Sequence, residues 1–302
     1  MTSRADTVRD ASRCPFCPGH ESDAEAAVEE RFDDDGAWMA RAFPNRYPMT
    51  CEVAPEPRRE GFFRERNAAG RHEVVVESPR HDADLSDLTV DALATVLGLY
   101  RARHRALAAL DDVRCVLLFK NRGPRAGASL RHPHGQLVAN AVVPSLVRRR
   151  DAVAARYHLR HGVSVVRAAV EAELEAGTRV VASRDGFVTL CPYASSRSFE
   201  TWVVPPAAWG NFGATPDDAL VPLASMLGET LRRVRHATGD ADYNLLLREP
   251  AVRAWGGPWA QWYFEVQVRR GGDAGFELNG GMPCAVIAPE ESAEALRSAD
   301  VL

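Results

Sequence analysis

Lysine is nearly missing from this chain: Lys120 is the only one among 302 residues, so arginine, backbone N–H groups and neutral side chains must do whatever anion recognition there is. A basic surplus is missing too. The formal charge of −4 excludes broad electrostatic binding to a nucleic-acid backbone, and any phosphate must be held locally. No apolar run approaches the roughly 20 residues that a membrane span needs. The opening run Met1 to Asp6 is polar and lacks the apolar core of a signal peptide, so a cytoplasmic protein is expected, with no membrane and no nucleic-acid partner. Cysteines are few, and a cytosolic setting disfavours disulfides. Cys115 and Cys191 sit in strand-like apolar runs and read as small buried hydrophobes. What remains is an ordinary soluble composition, 46% apolar and 26% charged, long enough for two structural units.

The most informative stretch runs from Lys120 to Gln136, Lys-Asn-Arg-Gly-Pro-Arg-Ala-Gly-Ala-Ser-Leu-Arg-His-Pro-His-Gly-Gln. Gly123 and Gly127 allow sharp turns that present N–H groups to an anion. His132 and His134, two apart on an extended segment, point to the same side and can serve as a ligand and a nucleophile. A second motif precedes it. Cys14 and Cys17 form a C-x-x-C knuckle, half of a tetrahedral zinc site or else a redox pair. Zinc is favoured because no thioredoxin-like βαβ pattern surrounds it. His20 is a third ligand by proximity, weaker because it lies in a turn.

Between these motifs the chain alternates strands and helix. Gly36 to Pro44 reads as a strand tipped by Asn45, Arg46 and Tyr47, either an ordinary turn or a rim that contacts a nucleotide. Glu73 to Glu77 reads as a strand ended by Pro79, with His81 just beyond. Thr89 opens an amphipathic helix to about Leu110, on which His104 is a surface or packing residue. Val113 to Phe119 is the next strand. A helical region from Ser145 to Ala176, stopped by Gly177, follows, and its Arg148-Arg149-Arg150 run reads as a solvated face.

The order strand, strand, helix, strand, strand then recurs. Strands at Asp185–Tyr193 and Phe199–Pro206, a helix capped at Thr215-Pro216-Asp217-Asp218 and running to His236, and strands at Asp242–Arg248 and Gln261–Val268 repeat the first half. Opposite His132, His134 and Gln136 the second copy has Gln261, Tyr263 and Glu265. One active site per repeat pair follows.

With these residues in view, the chain resembles the galactose-1-phosphate uridylyltransferase family of the histidine-triad superfamily, whose Ser-x-x-His-Pro-His-Gly-Gln motif reads here Ser129 to Gln136. It also resembles the ADP-glucose phosphorylase relatives of that family, particularly in Asn45-Arg46-Tyr47-Pro48. The resemblance implies an α+β fold of two fused histidine-triad-like repeats, each an antiparallel sheet with a packed helix. The divisions expected are an N-terminal repeat over 1–144, a helical connection over 145–178 and a degenerate second repeat over 179–302. It implies one structural zinc per chain on Cys14, Cys17, His81 and His132, and His134 as the nucleophile of a ping-pong nucleotidyl transfer. Gln136 would be a neutral donor to the phosphoryl group, Ser129, Asn121 and the N–H groups around Gly127 further donors, and Arg125 or Arg131 charge partners. Asn45, Arg46 and Tyr47 would meet the nucleotide and Glu277 the sugar. The implied substrates are a nucleotide sugar and a sugar 1-phosphate, or inorganic phosphate in a phosphorylase; a protein that kept the zinc and the fold but lost catalysis is the reading from another class. The family's second, iron site is not expected, because Gln261 and Tyr263 stand where histidines would. A homodimer is implied.

Overall fold

The computed structural model describes residues 11–21, 24–52, 57–206, 209–272 and 274–300; the polar run Met1 to Asp6 lies outside them. The first half comprises strands β1 (Glu29–Phe32), β2 (Trp38–Pro44), β3 (Arg58–Glu60), β4 (Phe63–Glu65) and β5 (Gly70–Val76), helix α1 (Val90–Ala108), and strands β6 (Cys115–Arg122) and β7 (His134–Asn140). The second comprises helices α2 (Ser145–His161) and α3 (Val165–Ala176), strands β8 (Val180–Arg184), β9 (Phe187–Leu190) and β10 (Thr201–Val204), helix α4 (Leu220–Thr238), strands β11 (Tyr243–Arg248) and β12 (Tyr263–Val268), and helices α5 (Gly275–Gly280) and α6 (Pro289–Arg297).

Among the described residues one ten-stranded sheet dominates, in the order β1-β2-β5-β7-β6-β11-β12-β10-β9-β8, with β3 and β4 pairing apart from it. Read outward from the β6–β11 pair, each side follows the same plan, and every ladder is antiparallel. A separate sheet for each half is therefore corrected. Pairing of Arg122 with Tyr243 through Phe119 with Leu246 joins the halves and covers two edges that would otherwise expose unpaired N–H and C=O groups.

The side-chain period of two divides each strand between faces. Leu118 of β6, Leu137 and Ala139 of β7, and Leu245 and Leu247 of β11 enter the main core, against Leu93, Val96, Leu97 and Tyr100 of α1 and Leu223, Leu227 and Leu231 of α4. Their neighbours Asn121, His134, Gln136 and Asn244 therefore stand on the opposite face. That face is where the polar chemistry collects.

Helix boundaries follow local chemistry. The Thr89 side chain accepts the Ala92 N–H at 3.2 Å, a cap worth about 1 kcal/mol, and α1 begins where expected. The single helix expected from Ser145 to Ala176 is instead two, because Gly162 takes a left-handed φ of 73° and ends α2 before Ser164 opens α3. Nor does Thr215 cap α4, which starts at Leu220 after a short 3-10 turn over Asp217–Ala219. Its carbonyl and the Asp217 carboxylate are taken by Arg101 of α1. No helix among the described residues is long and apolar enough to cross a membrane.

Candidate active site

Four potential ligands from three places in the first half meet in one cluster. Cys14 and Cys17 come from the knuckle, His81 from the turn after β5, and His132 from just before β7; their ligand atoms all lie within 4.8 Å of one another. Cys17 Sγ is 3.3 Å from His81 Nδ1 and 3.5 Å from His132 Nδ1, the separation of ligands that share one tetrahedral zinc ion. The second ring nitrogen of His132 fixes its tautomer. Nε2 lies 2.8 Å from the Ser78 carbonyl, which can only accept, so the proton sits there and the Nδ1 lone pair faces the cluster. Burial, reinforced by the adjacent Cys14, pushes the Cys17 thiol up to about 11. Two neighbouring thiols and two imidazole lone pairs make a donor set that fits a zinc ion, and four protein ligands leave no open position. His20 is not among them, because its Nδ1 donates to the Cys14 carbonyl at 2.7 Å.

His134 opens β7 and is buried. Its Nδ1 donates to the His132 carbonyl at 2.8 Å, which leaves the Nε2 lone pair free. Burial lowers its pKa to about 4, and the positive charge of Lys120 adds to this while the bond to the His132 carbonyl opposes it. A neutral imidazole with one fixed and one free nitrogen can attack an electrophile. The Phe16 ring, from within the knuckle, packs edge-on with its centroid 5.5 Å away. Behind the strand, Gly135 leaves room for Tyr100, whose hydroxyl oxygen would lie 1.8 Å from any Cβ there.

The glycine loop is held from the second half. Gly123 has a φ of 84°, and a Cβ on it would meet Asp242 Oδ1 at 2.0 Å; the other Asp242 oxygen accepts the Arg125 N–H at 2.7 Å. Asn244 of β11 donates through Nδ2 to both Asn121 Oδ1, at 2.8 Å, and the Ala126 carbonyl, at 2.9 Å. With its oxygen held, the Asn121 amide nitrogen turns toward Gly127, 3.9 Å from where a Cβ would stand. The N–H groups expected to reach an anion at Gly127 are already used: Gly127 donates to Pro124 and Ala128 to Gly123, both at 3.1 Å. Ser129, Arg125 and Arg131 are exposed, and their side chains make no hydrogen bond among the described residues.

Gln136 lies two residues along β7 from His134, on the same face. Its Oε1 accepts from His72 Nε2 at 2.9 Å, while His72 Nδ1 accepts the Met49 N–H at 3.1 Å. Asn45, in the same turn as Met49, holds the Tyr47 N–H with its side-chain oxygen and donates its own N–H to the His72 carbonyl. Tyr47 itself is 82% exposed, open to a partner, and Arg46 lies beside it on the surface. The structure thus brings Asn45, His134, Gln136 and Asn121 to one face. Glu277 makes no hydrogen bond with any of them among the described residues; its carboxylate accepts the N–H of Ala274, the residue before its own short helix.

Several of these residues carry no motif. His72 interrupts an otherwise apolar strand face shared with Val74 and Val76, a polar intrusion that the sequence does display. Asp242 and Asn244 were legible only as part of a strand. Lys120 points to the helix side, where it pairs with Glu77 at 2.5 Å and Asp84 at 3.5 Å; Tyr100 donates to Glu77 and Tyr243 to Asp84. The only lysine is thus a buried counter-ion beneath the strand. His104 is likewise neither surface nor plain packing but a buried partner of Glu249, at 2.6 Å.

In the second half the corresponding face is filled by protein. Arg248 binds Glu265 through two bonds of 2.7 and 2.8 Å, and Tyr263 packs on Trp202 with centroids 4.4 Å apart. Arg150 is half-buried rather than solvated, its pKa lowered by burial and then by Arg248. A cavity of about 560 Å³ opens elsewhere, between the knuckle and the β1–β2 hairpin, and neither His134 nor Gln136 lines it.

Comparison with known proteins accords with this geometry. Residues 1–144 match the family described as "Galactose-1-phosphate uridyl transferase, N-terminal domain". The chain is 29% identical to ADP-glucose phosphorylase of Arabidopsis thaliana over 294 residues, covering 95% of this chain and 82% of that one. It is 33% identical to galactose-1-phosphate uridylyltransferase of Haemophilus influenzae over 165 residues, 54% of this chain and 47% of that one. The crystal structure of an ADP-glucose phosphorylase from Arabidopsis thaliana with bound ADP-glucose superposes with a TM-score of 0.85 at 26% identity, over 96% of this chain and 90% of that one. The chain resembles the galactose-1-phosphate uridylyltransferase family and its ADP-glucose phosphorylase relatives across both halves of its sheet.

Proposed function

We propose that this chain is a nucleotidyltransferase that moves a nucleoside monophosphate between a nucleoside diphosphate sugar and a sugar 1-phosphate, by way of a nucleotidyl group on His134. The observation that carries the reading is the fixed tautomer of His134, with Nδ1–H bound to the His132 carbonyl and Nε2 unprotonated. The Nε2 lone pair attacks the α-phosphorus; the bond from that phosphorus to the bridging oxygen breaks, and sugar 1-phosphate leaves with the electron pair. The cationic ring that results is stabilised through its Nδ1–H by the same carbonyl. A phosphate oxygen of the acceptor then attacks the same phosphorus and the P–N bond breaks. A sugar phosphate leaves as a stable anion and needs no proton, so a neutral donor such as Gln136 suffices where an acid is not required. Asn121 Nδ2 and Ser129 Oγ are further donors, Arg125 or Arg131 the charge partners, and the Asn45-Arg46-Tyr47 turn the nucleotide rim.

Cys14, Cys17, His81 and His132 would hold one zinc ion, which when bound clamps the knuckle and the turn after β5 to the start of β7. The equal strand order on either side of the β6–β11 pair supports two histidine-triad-like repeats, 1–144 and 179–302, joined by the helices of 145–178. Glu277 is assigned to the sugar only by family resemblance, and a homodimer rests on the same ground.

A second reading takes inorganic phosphate as acceptor, an NDP-sugar phosphorylase, and is favoured by the likeness to ADP-glucose phosphorylase along 95% of the chain. One set of incubations separates the two. The protein is given UDP-glucose or ADP-glucose with either galactose 1-phosphate or phosphate, and intact mass is recorded before the acceptor is added. Transfer to the sugar phosphate supports the first reading, and preferential release of a nucleoside diphosphate with phosphate supports the second. If no pair turns over and no nucleotidyl mass appears, both are wrong.

A further inference from the structure

On the face of β5 that Val74 and Val76 make apolar, His72 is a polar ring whose two nitrogens are both in use. The Met49 N–H points at Nδ1, so Nδ1 has no proton, and a neutral ring then carries it on Nε2, the atom 2.9 Å from Gln136 Oε1. Burial, opposed only in part by Gln136, lowers the pKa of His72 and keeps the ring in this neutral form. The Asn45 amide nitrogen approaches the same ring, 3.1 Å from Nε2 and 3.3 Å from Nδ1. Gln136 Nε2 makes no hydrogen bond among the described residues. It is the end of the amide that remains to face the site.

We propose that His72 is a positioning residue for nucleotidyl transfer: by holding Gln136 Oε1 it turns the Gln136 NH₂ toward the phosphoryl group, and it locks that orientation to the turn that carries Asn45 and Met49. An amide rotates by half a turn with little change of shape, and its two ends have opposite effects on an anion. With Oε1 forward, Gln136 repels the phosphoryl oxygens; with NH₂ forward it donates to them. His72 decides between the two, because a neutral Nε2–H can bind the oxygen and not the NH₂. The Met49 N–H in turn decides where that proton lies. A nucleotide seated on the 45–49 turn and the donor at the transferring phosphate are thus tied through one imidazole. The inference rests on the reading of His134 as nucleophile.

The test uses the full-length, zinc-loaded protein and follows formation of the nucleotidyl adduct on His134 by rapid quench and mass spectrometry, with ADP-glucose and UDP-glucose as probes. His72→Leu removes both hydrogen bonds. His72→Asn keeps polarity near the Nδ1 position and loses the donor at Nε2, whereas His72→Gln can place an NH₂ there. Adduct formation at saturating sugar nucleotide should slow by about 10–100-fold in His72→Leu and His72→Asn, short of the loss of a whole donor, and recover to within about threefold in His72→Gln. The same His72→Leu change made on a Gln136→Ala background should slow the reaction by less than about twofold, since the residue it positions is gone. Zinc content and melting temperature report folding, and His72→Asn carries the test if His72→Leu does not fold. An equal slowing on both backgrounds, or an unslowed His72→Asn, overturns the proposal and leaves His134 in place. A wild-type protein that forms no adduct with either probe overturns the nucleophile itself, and the proposal with it.

Discussion

The Nδ1–H of His134 donates to the carbonyl oxygen of His132 at 2.8 Å, so the ring proposed as nucleophile takes its tautomer from the peptide group of a residue in the Cys–His cluster. His132 turns Nδ1 to Cys17, whereas His134 spends Nδ1 on the peptide carbonyl and keeps Nε2 free. The two roles are separable by substitution, because the bond runs through the backbone of His132 and not through its side chain.

His134→Gly should therefore keep the fold and about one zinc per chain while losing transfer by at least about 10³-fold, the scale for removing a covalent nucleophile. Metal analysis and thermal unfolding check the first half of this statement, and steady-state transfer with adduct mass checks the second. Substantial residual turnover would take His134 out of the chemistry.

Removal of the metal should act in the opposite order. Cys17→Ser, or a chelator, takes away a ligand that stands 3.3 Å and 3.5 Å from the two histidines, and should release zinc, lower the melting temperature and slow transfer together. Re-addition of zinc to the chelated wild type should restore all three. A chain that loses its zinc and keeps its melting temperature would show that the cluster clamps nothing.

The site was legible in the sequence where chemistry forces a spacing. Cys14 with Cys17, and His132 with His134, are read directly because a knuckle and an alternating strand leave few other arrangements. His81 was not legible in that way: its membership depends on β5 pairing with β7, a contact between residues some sixty apart, and only family resemblance supplied it. The same holds for Asn244 and Asp242, ordinary strand residues until the β6–β11 pairing sets them against the loop. The continuity of the sheet was hidden for the same reason, since strand patterns give faces and not neighbours. Helix ends failed where one residue overrode the pattern: Gly162 breaks an otherwise periodic run, and a 3-10 turn over Asp217–Ala219, with Asp217 held by Arg101, comes between Thr215 and the start of α4.

Lys120 sets an electrostatic condition on the fold. It lies between Glu77 and Asp84, both buried, and its removal in Lys120→Met leaves Glu77 without its counter-ion and Asp84 with Arg122 alone, at 3.7 Å, a change that costs about 3–5 kcal/mol. The two acids respond differently. Burial outweighs Lys120 and Tyr100 at Glu77 and moves that carboxyl up, whereas at Asp84 burial is outweighed by Lys120, Tyr243 and Arg122 and the carboxyl moves down. A carboxylate with a depressed folded pKa contributes stability above its unfolded pKa of about 3.9 and loses it as pH falls through the folded value. Asp84→Asn should thus be less stable than wild type at pH 7 in urea unfolding, with the difference shrinking as the pH drops below about 4. A difference that stays constant down to pH 3 would place the Asp84 contribution in packing and not in charge.

The second half of the chain reaches the proposed chemistry through Asn244. Its amide nitrogen divides between Asn121 Oδ1 and the Ala126 carbonyl, so Asn244→Leu, of similar volume, frees the Asn121 side chain and one turn of the glycine loop at once. Two hydrogen bonds at about 1 kcal/mol each correspond to roughly a tenfold to thirtyfold loss if both are expressed in the transition state. The loss should fall on kcat, since Asn121 would lose its orientation toward the transferring phosphate while the 45–49 turn proposed to meet the nucleotide is untouched. Asn121→Ala should cost as much or more, and the double variant little beyond Asn121→Ala alone, because the two amides act as one unit. If Asn244→Leu instead raises KM and leaves kcat intact, β11 supports binding and not transfer, and the coupling between the halves lies elsewhere than in this pair.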